Sequence, residues 1–82
     1  MNTLYKYFNL EANENEFYIN RVAQDTGEHE IHKGNCACLP SIKNREYLAK
    51  DCTYYYAEQQ AKYKGYYNVD ACRWCLTRYH KK

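Results

Sequence analysis

Cys72 and Cys75 form a C-x2-C pair, a spacing that lets two sulfurs grip one ion from a single tight turn. Upstream, His32 and Cys36 form an H-x3-C pair. Zinc takes four tetrahedral ligands from cysteine and histidine, and the two pairs supply four from distant parts of the chain. A Zn2+ ion held this way closes a loop of about forty residues and adds its binding free energy directly to folding. His80, five residues after Cys75, rivals His32 as the fourth ligand. The competing readings of these cysteines are small buried apolar groups and disulfides.

Other chemistry is sparse. Cys38 could replace Cys36 as a ligand, but Cys38 and Cys52 both read more simply as buried fillers. Cys52 lies near an expected helix start, where a thiol can gain reactivity. His29 reads as surface. A dyad of Cys36 or Cys38 with His32 is formally available, but a chain of 82 residues leaves little room for a pocket that excludes water. A four-ligand metal has no vacancy for water activation. G-x-S-x-G, H-E-x-x-H and phosphate-cradling glycine loops are absent, and there are only three glycines. The expectation is therefore no enzyme, no catalytic residue and no small-molecule substrate.

These side chains must be positioned by a thin core. Val, Ile and Leu total ten residues, with two Phe. So little aliphatic bulk raises the question of disorder, but eleven Tyr, one Trp and a net charge of +2 argue for a fold. A domain this small often needs a staple, and the cysteines are its obvious source. Residues 1–82 read as a single small metal-binding domain, with 1–16 as a peripheral N-terminal element. No apolar run approaches the ~18 residues of a membrane span, and Met1 to Leu10 lacks the pattern of a signal peptide. With an odd number of cysteines, this points to a reducing cytoplasm.

The fold class expected is α+β: a β-hairpin plus a short third strand packed on one main helix, with a short C-terminal helix. Residues 17–23 and 28–32 pair around a turn at Gln24–Gly27. Residues 33–44, with Gly34, Asn35 and Pro40, are loop, and 45–49 form the third strand. A helix runs from about 53 to 64, capped by Asp51 or Thr53 and stopped by Gly65. Its inner stripe is Tyr54, Ala57, Ala61 and the stem of Lys64. Residues 66–71 connect to a short helix within 72–80.

This order of parts resembles the Ada-type N-terminal zinc-binding domain and related small metal-binding domains appended to nucleases. The likeness rests on the hairpin, the ligand-x3-Cys loop, the short strand Arg45-Glu46-Tyr47-Leu48, the alanine-bearing helix and Cys72-x2-Cys75, over about residues 17–76. It implies one structural zinc and ancestry near DNA-handling proteins. In the DNA-repair member the first loop ligand is a cysteine that accepts a methyl group. Here that position is His32, a far poorer acceptor, so methyl-acceptor repair activity is not expected. The spacer Tyr66–Ala71 before the last pair is also longer here.

Charge divides the chain. Residues 1–30 carry a net −4 and residues 31–82 a net +6. The basic, Tyr-rich part is compatible with nucleic acid, where cations meet phosphates and rings stack on bases. The candidate contacts are Lys62, Lys64, Arg73, Arg78, Lys81 and Lys82 for phosphate, and Tyr66, Tyr67, Trp74 and Tyr79 for stacking. The function expected is a zinc-stabilised, non-catalytic, nucleic-acid-associated binding module. The alternative is a protein-interaction module of phage or mobile-element type that binds a host protein, using the acidic segment Glu11 to Glu16 or an exposed Tyr54–Tyr56 cluster. Most tyrosines are expected half-buried, with the hydroxyl at solvent.

Overall fold

A computed structural model describes residues 14–82, so most of the expected peripheral element 1–16 lies outside the described residues. The fold is a small α+β unit with a four-stranded mixed sheet and one helix. Strand β1 (Glu16–Asn20) pairs antiparallel with β2 (His29–Lys33) in the register Phe17–Lys33, Tyr18–His32 and Ile19–Ile31. The strands are shorter at the turn than the sequence predicts. Asn20 stops β1 by accepting the Val22 N–H on its Oδ1 (3.0 Å). Gln24 and Glu28 then close the loop backbone at 2.9 Å, and Gly27 takes a φ of 99° that disfavours any other residue.

Strand β3 (Arg45–Lys50) pairs antiparallel with the other edge of β1, with a register shift between Phe17 and Tyr18. Asp51 turns the chain in a left-handed conformation (φ 55°), and Thr53, not Asp51, caps the helix, its Oγ1 accepting the Tyr56 N–H at 3.1 Å. Helix α1 (Tyr54–Tyr63) ends at Lys64, with Gly65 at φ 100°. Its buried stripe is Tyr54, Ala57 and Ala61, and the two alanines let it lie close against β1 and β3. Lys64 departs from that stripe and reaches Glu46 at 3.4 Å.

The expected connector 66–71 contains a fourth strand, β4 (Val69–Ala71), which pairs parallel with β2 and completes the order β3-β1-β2-β4. The expected C-terminal helix is replaced by a turn through Cys72–Cys75 and a single 3-10 turn at Thr77–Tyr79. Leu76 enters the core there, and Tyr79 stacks on Tyr54 with ring centres 4.7 Å apart.

The core is Phe17, Ile19, Ile31, Leu48, Tyr54, Ala57, Ala61, Ala71 and Leu76. The tyrosines divide more sharply than expected. Tyr18 and Tyr54 are buried, whereas Tyr47, Tyr55, Tyr56, Tyr63 and Tyr67 are exposed. Tyr54 thus belongs to the core and not to an exposed Tyr54–Tyr56 cluster. No helix among the described residues is long and apolar enough to cross a membrane. Ile31 has no exposed surface, so Ile31→Ala should lower stability by roughly 2–5 kcal/mol in urea denaturation. Tyr63→Ala, at an exposed position, should stay within about 0.5 kcal/mol of the parent.

Candidate metal centre

Side chains alternate across a strand, so Ile31 faces the helix and His32 the opposite side of the sheet. His32 sits there beside its cross-strand partner Tyr18 and is 2% exposed. The chain leaves β2 through a tight turn in which the Cys36 N–H reaches the Lys33 carbonyl at 3.1 Å. That turn returns Cys36 towards the end of the strand. On the other side, β4 delivers Cys72 directly: its N–H continues the parallel ladder to the Ile31 carbonyl at 2.9 Å. One residue after that contact, His32 and Cys72 are neighbours. The Leu76 N–H then bonds the Cys72 carbonyl at 3.0 Å and closes the C-x2-C turn, bringing Cys75 in.

Ligand atoms of His32, Cys36, Cys72 and Cys75 all lie within 4.8 Å of one another, a set that could hold a metal ion. All five cysteines are free thiols, and the Cys36 and Cys72 sulfurs are 3.8 Å apart. Two further features match a metal. Each sulfur receives one backbone N–H: Lys33 to Cys75 at 3.2 Å, Cys38 to Cys36 at 3.3 Å and Trp74 to Cys72 at 3.4 Å. Such donors stabilise thiolate charge. The His32 Nδ1 is buried with no hydrogen-bond partner among the described residues, while its Nε2 lies 3.7 Å from Glu30 Oε1. A buried polar atom normally has a partner, and an ion among the sulfurs would supply one. Burial pushes the Cys36 and Cys75 thiols up, and crowding by the neighbouring sulfurs adds to the rise. A divalent cation inverts that preference, because a coordinating thiol is deprotonated outright.

His80 lies elsewhere. Its Nδ1 is 2.8 Å from the Ala71 carbonyl and 3.3 Å from Asp70 Oδ2. Asp70, only 2% exposed, draws the tail back over β4 by accepting the Lys81 and Lys82 N–H groups at 3.0 Å each and that of Ala71 at 2.8 Å. This clamp carries His80 away from the sulfurs. Nothing in the sequence marked Asp70, because its partners are backbone amides eleven and twelve residues on. The backbone donors to sulfur carry no side-chain signature either.

The remaining thiols part from expectation. Cys38 is exposed, not a buried filler. Cys52 is half-buried against the core, and burial, with Asp51 beside it, pushes its thiol up, away from reactivity. His29, expected at the surface, is half-buried: its ring meets Tyr66 edge-on and its Nδ1 lies 2.9 Å from the Asn20 carbonyl.

The basic candidates fall on separate elements. Lys62 and Lys64 are at the helix end, with Lys64 engaged by Glu46. Arg73 and Trp74 sit on the C-x2-C turn, and Trp74 is 72% exposed. Arg78 lies 6.0 Å from the ring centre of its neighbour Tyr79, and Lys81 and Lys82 are on the clamped tail. Tyr67 is exposed, while Tyr66 and Tyr79 pack on the core. Tyr66 also donates its hydroxyl to Glu46 at 2.7 Å.

Burial pulls the His32 imidazole down to about 4, whereas an unfolded histidine titrates near 6.5. Between these values the unfolded chain binds more protons, so the stability from neutral His32 is full above about pH 6.5 and lost as pH falls towards 4. Metal ligation has the same sign, since the ligand must be deprotonated. The urea midpoint should therefore fall between about pH 7 and pH 5; an unchanged midpoint would contradict this balance.

Comparison of the chain with protein-family models, curated proteins and solved structures finds no match in any of the three.

Proposed function

We propose that the chain is a zinc-stabilised, non-catalytic binding module that associates with nucleic acid. The observation that carries the metal part is the convergence of His32, Cys36, Cys72 and Cys75 within 4.8 Å. Three thiolates and a neutral imidazole suit Zn2+ by softness and number, and a closed set of four fits a structural role. The thin core gives that role its weight, because the ion ties the loop after β2 to the turn after β4 where aliphatic contacts are few. Free thiols of this kind suit a reducing compartment, which supports a cytoplasmic reading. The succession of hairpin, His32-x3-Cys36 loop, helix and Cys72-x2-Cys75 supports kinship with the Ada-type zinc domain, without its methyl-acceptor chemistry.

The nucleic-acid part is carried by Trp74, an exposed indole on the same turn as the ligands, with Arg73 beside it. A rigid turn that presents one flat ring and one guanidinium can stack a base and hold a phosphate. A second reading has its own observation. Tyr55, Tyr56 and Tyr63 expose aromatic surface on the helix, and Tyr67 exposes more just beyond it. Such rings favour a protein partner, here a host protein bound by a phage or mobile-element product.

Metal analysis of purified protein should return one zinc per chain, and a chelator should unfold it. Protein that stays folded and metal-free would end the zinc reading. His32→Ala should lose the metal, while His80→Ala should keep it. Labelled single-stranded and duplex DNA should raise anisotropy at low salt and release as salt increases. No binding at low salt would transfer the assignment to the protein-interaction module.

A further inference from the structure

Next to the four-residue cluster the surface opens into a cleft of ≈ 490 Å³, within the roughly 300–1,000 Å³ of ligand pockets. Gln24 comes from the β1–β2 turn, Glu28 and Glu30 from the start of β2, Arg73 and Trp74 from the C-x2-C turn, and Lys82 from the tail. These walls combine three chemistries. Trp74 offers a flat apolar face, and Arg73 and Lys82 offer cations. The carboxylates and the Gln24 amide offer hydrogen-bond groups. A nucleotide can use all three, since it joins an anionic phosphate to a flat ring whose edge carries N–H donors.

We propose that this cleft takes one unpaired nucleotide of a single strand, its base stacked on Trp74, its phosphate against Arg73 and Lys82, and its exocyclic amino group on Glu30. This rests on the nucleic-acid reading and gives it a specific contact. The two glutamates have different tasks. Glu28 is 5% exposed, accepts the Thr26 hydroxyl at 2.8 Å and lies 3.9 Å from Lys82 Nζ, so it holds Lys82 at the rim. Glu30 is half-buried and shares the cleft wall with Gln24, and its carboxylate keeps acceptor capacity for a further donor. Cytosine, adenine and guanine carry an exocyclic amino group, whereas thymine offers a carboxylate only its ring N3–H, so the cleft favours the amino-bearing bases over thymine. It is also tied to the metal centre. The Trp74 N–H is bonded to the Cys72 sulfur, and Glu30 is the carboxylate facing His32. Loss of the ion therefore displaces both the stacking ring and the base-edge acceptor.

Trp74 is the only tryptophan in the chain, so its emission reports the cleft alone. The test titrates zinc-loaded full-length protein with labelled oligo-dC and oligo-dT, reading anisotropy for binding and Trp74 emission for occupancy. Emission should change saturably, with the same midpoint as anisotropy. Oligo-dC should bind at least about fivefold tighter than oligo-dT. Trp74→Ala should weaken oligo-dC about tenfold or more with zinc content unchanged. Arg73→Gln should weaken both oligomers alike and reduce the salt dependence. Binding without a change in Trp74 emission, or equal affinity for the two oligomers, overturns the cleft assignment and leaves nucleic-acid binding in place. No binding by either readout overturns both.

Discussion

The parallel pairing of β2 with β4 sets His29, Glu30 and Ile31 beside Val69, Asp70 and Ala71. From that register the chemistry of the molecule follows. Ile31 and Ala71 meet on the helix side and join the core. The next residue on each strand, His32 and Cys72, emerges together on the other side. A slip of one residue in β4 would turn that strand over, sending the Cys72 thiol under the helix and Ala71 away from the core. The hydrophobic demand for Ile31 and Ala71 in the core is thus also what brings the ligands together. Parallel strands cannot be joined by a tight turn. The intervening β3 and α1 make up the crossover, and the alanine stripe of α1 lets it fit close to the sheet.

A chain with few aliphatic side chains distributes its stabilisation unusually. Among the described residues, the largest fully buried side chains are Ile19, Ile31 and Cys72. Aromatic packing does more: Tyr54 is stacked by Tyr79 and met edge-on by Phe17 and Tyr55. Buried polar clamps add the rest. The Asp70 carboxylate collects three backbone N–H groups and lies beside the His80 ring, and with these donors its carboxyl is held below the usual range although burial alone would raise it. That clamp folds the tail against β4, two residues before the first cysteine of the C-x2-C pair. Tail, turn and cluster therefore form one mechanical unit.

The charge asymmetry of the sequence has a structural counterpart. Glu28 and Glu30 lie near the start of β2, and the basic tail lies across the same side of the molecule, with Lys82 3.9 Å from Glu28. Acidic and basic parts of the chain thereby share a cleft instead of forming separate poles. Lys64 is likewise engaged with Glu46, as is Arg21 at 3.3 Å. The surface left for a partner is defined less by net charge than by which rings stay uncovered, Trp74 on one element and the helix tyrosines on another.

Local sequence determined the elements whose signals are local. The alternation around Phe17–Ile19 and Ile31 marked the hairpin, Thr53 and Gly65 bounded the helix, and the spacing of Tyr54, Ala57 and Ala61 marked its buried face. Residue type alone nominated His32, Cys36, Cys72 and Cys75, since thiols and imidazoles paired at short spacing are scarce in so small a chain. Strand β4 was not legible. Three residues, one of them an aspartate, carry no periodicity, and their partner lies about forty residues away in a parallel ladder that only folding assembles. The position of His80 had the same cause: its distance from the sulfurs is set by backbone amides meeting a buried carboxylate. Short-range patterns record the conformational preferences of neighbouring residues. The register of distant strands, and with it the convergence of the four side chains, is decided by burial in three dimensions.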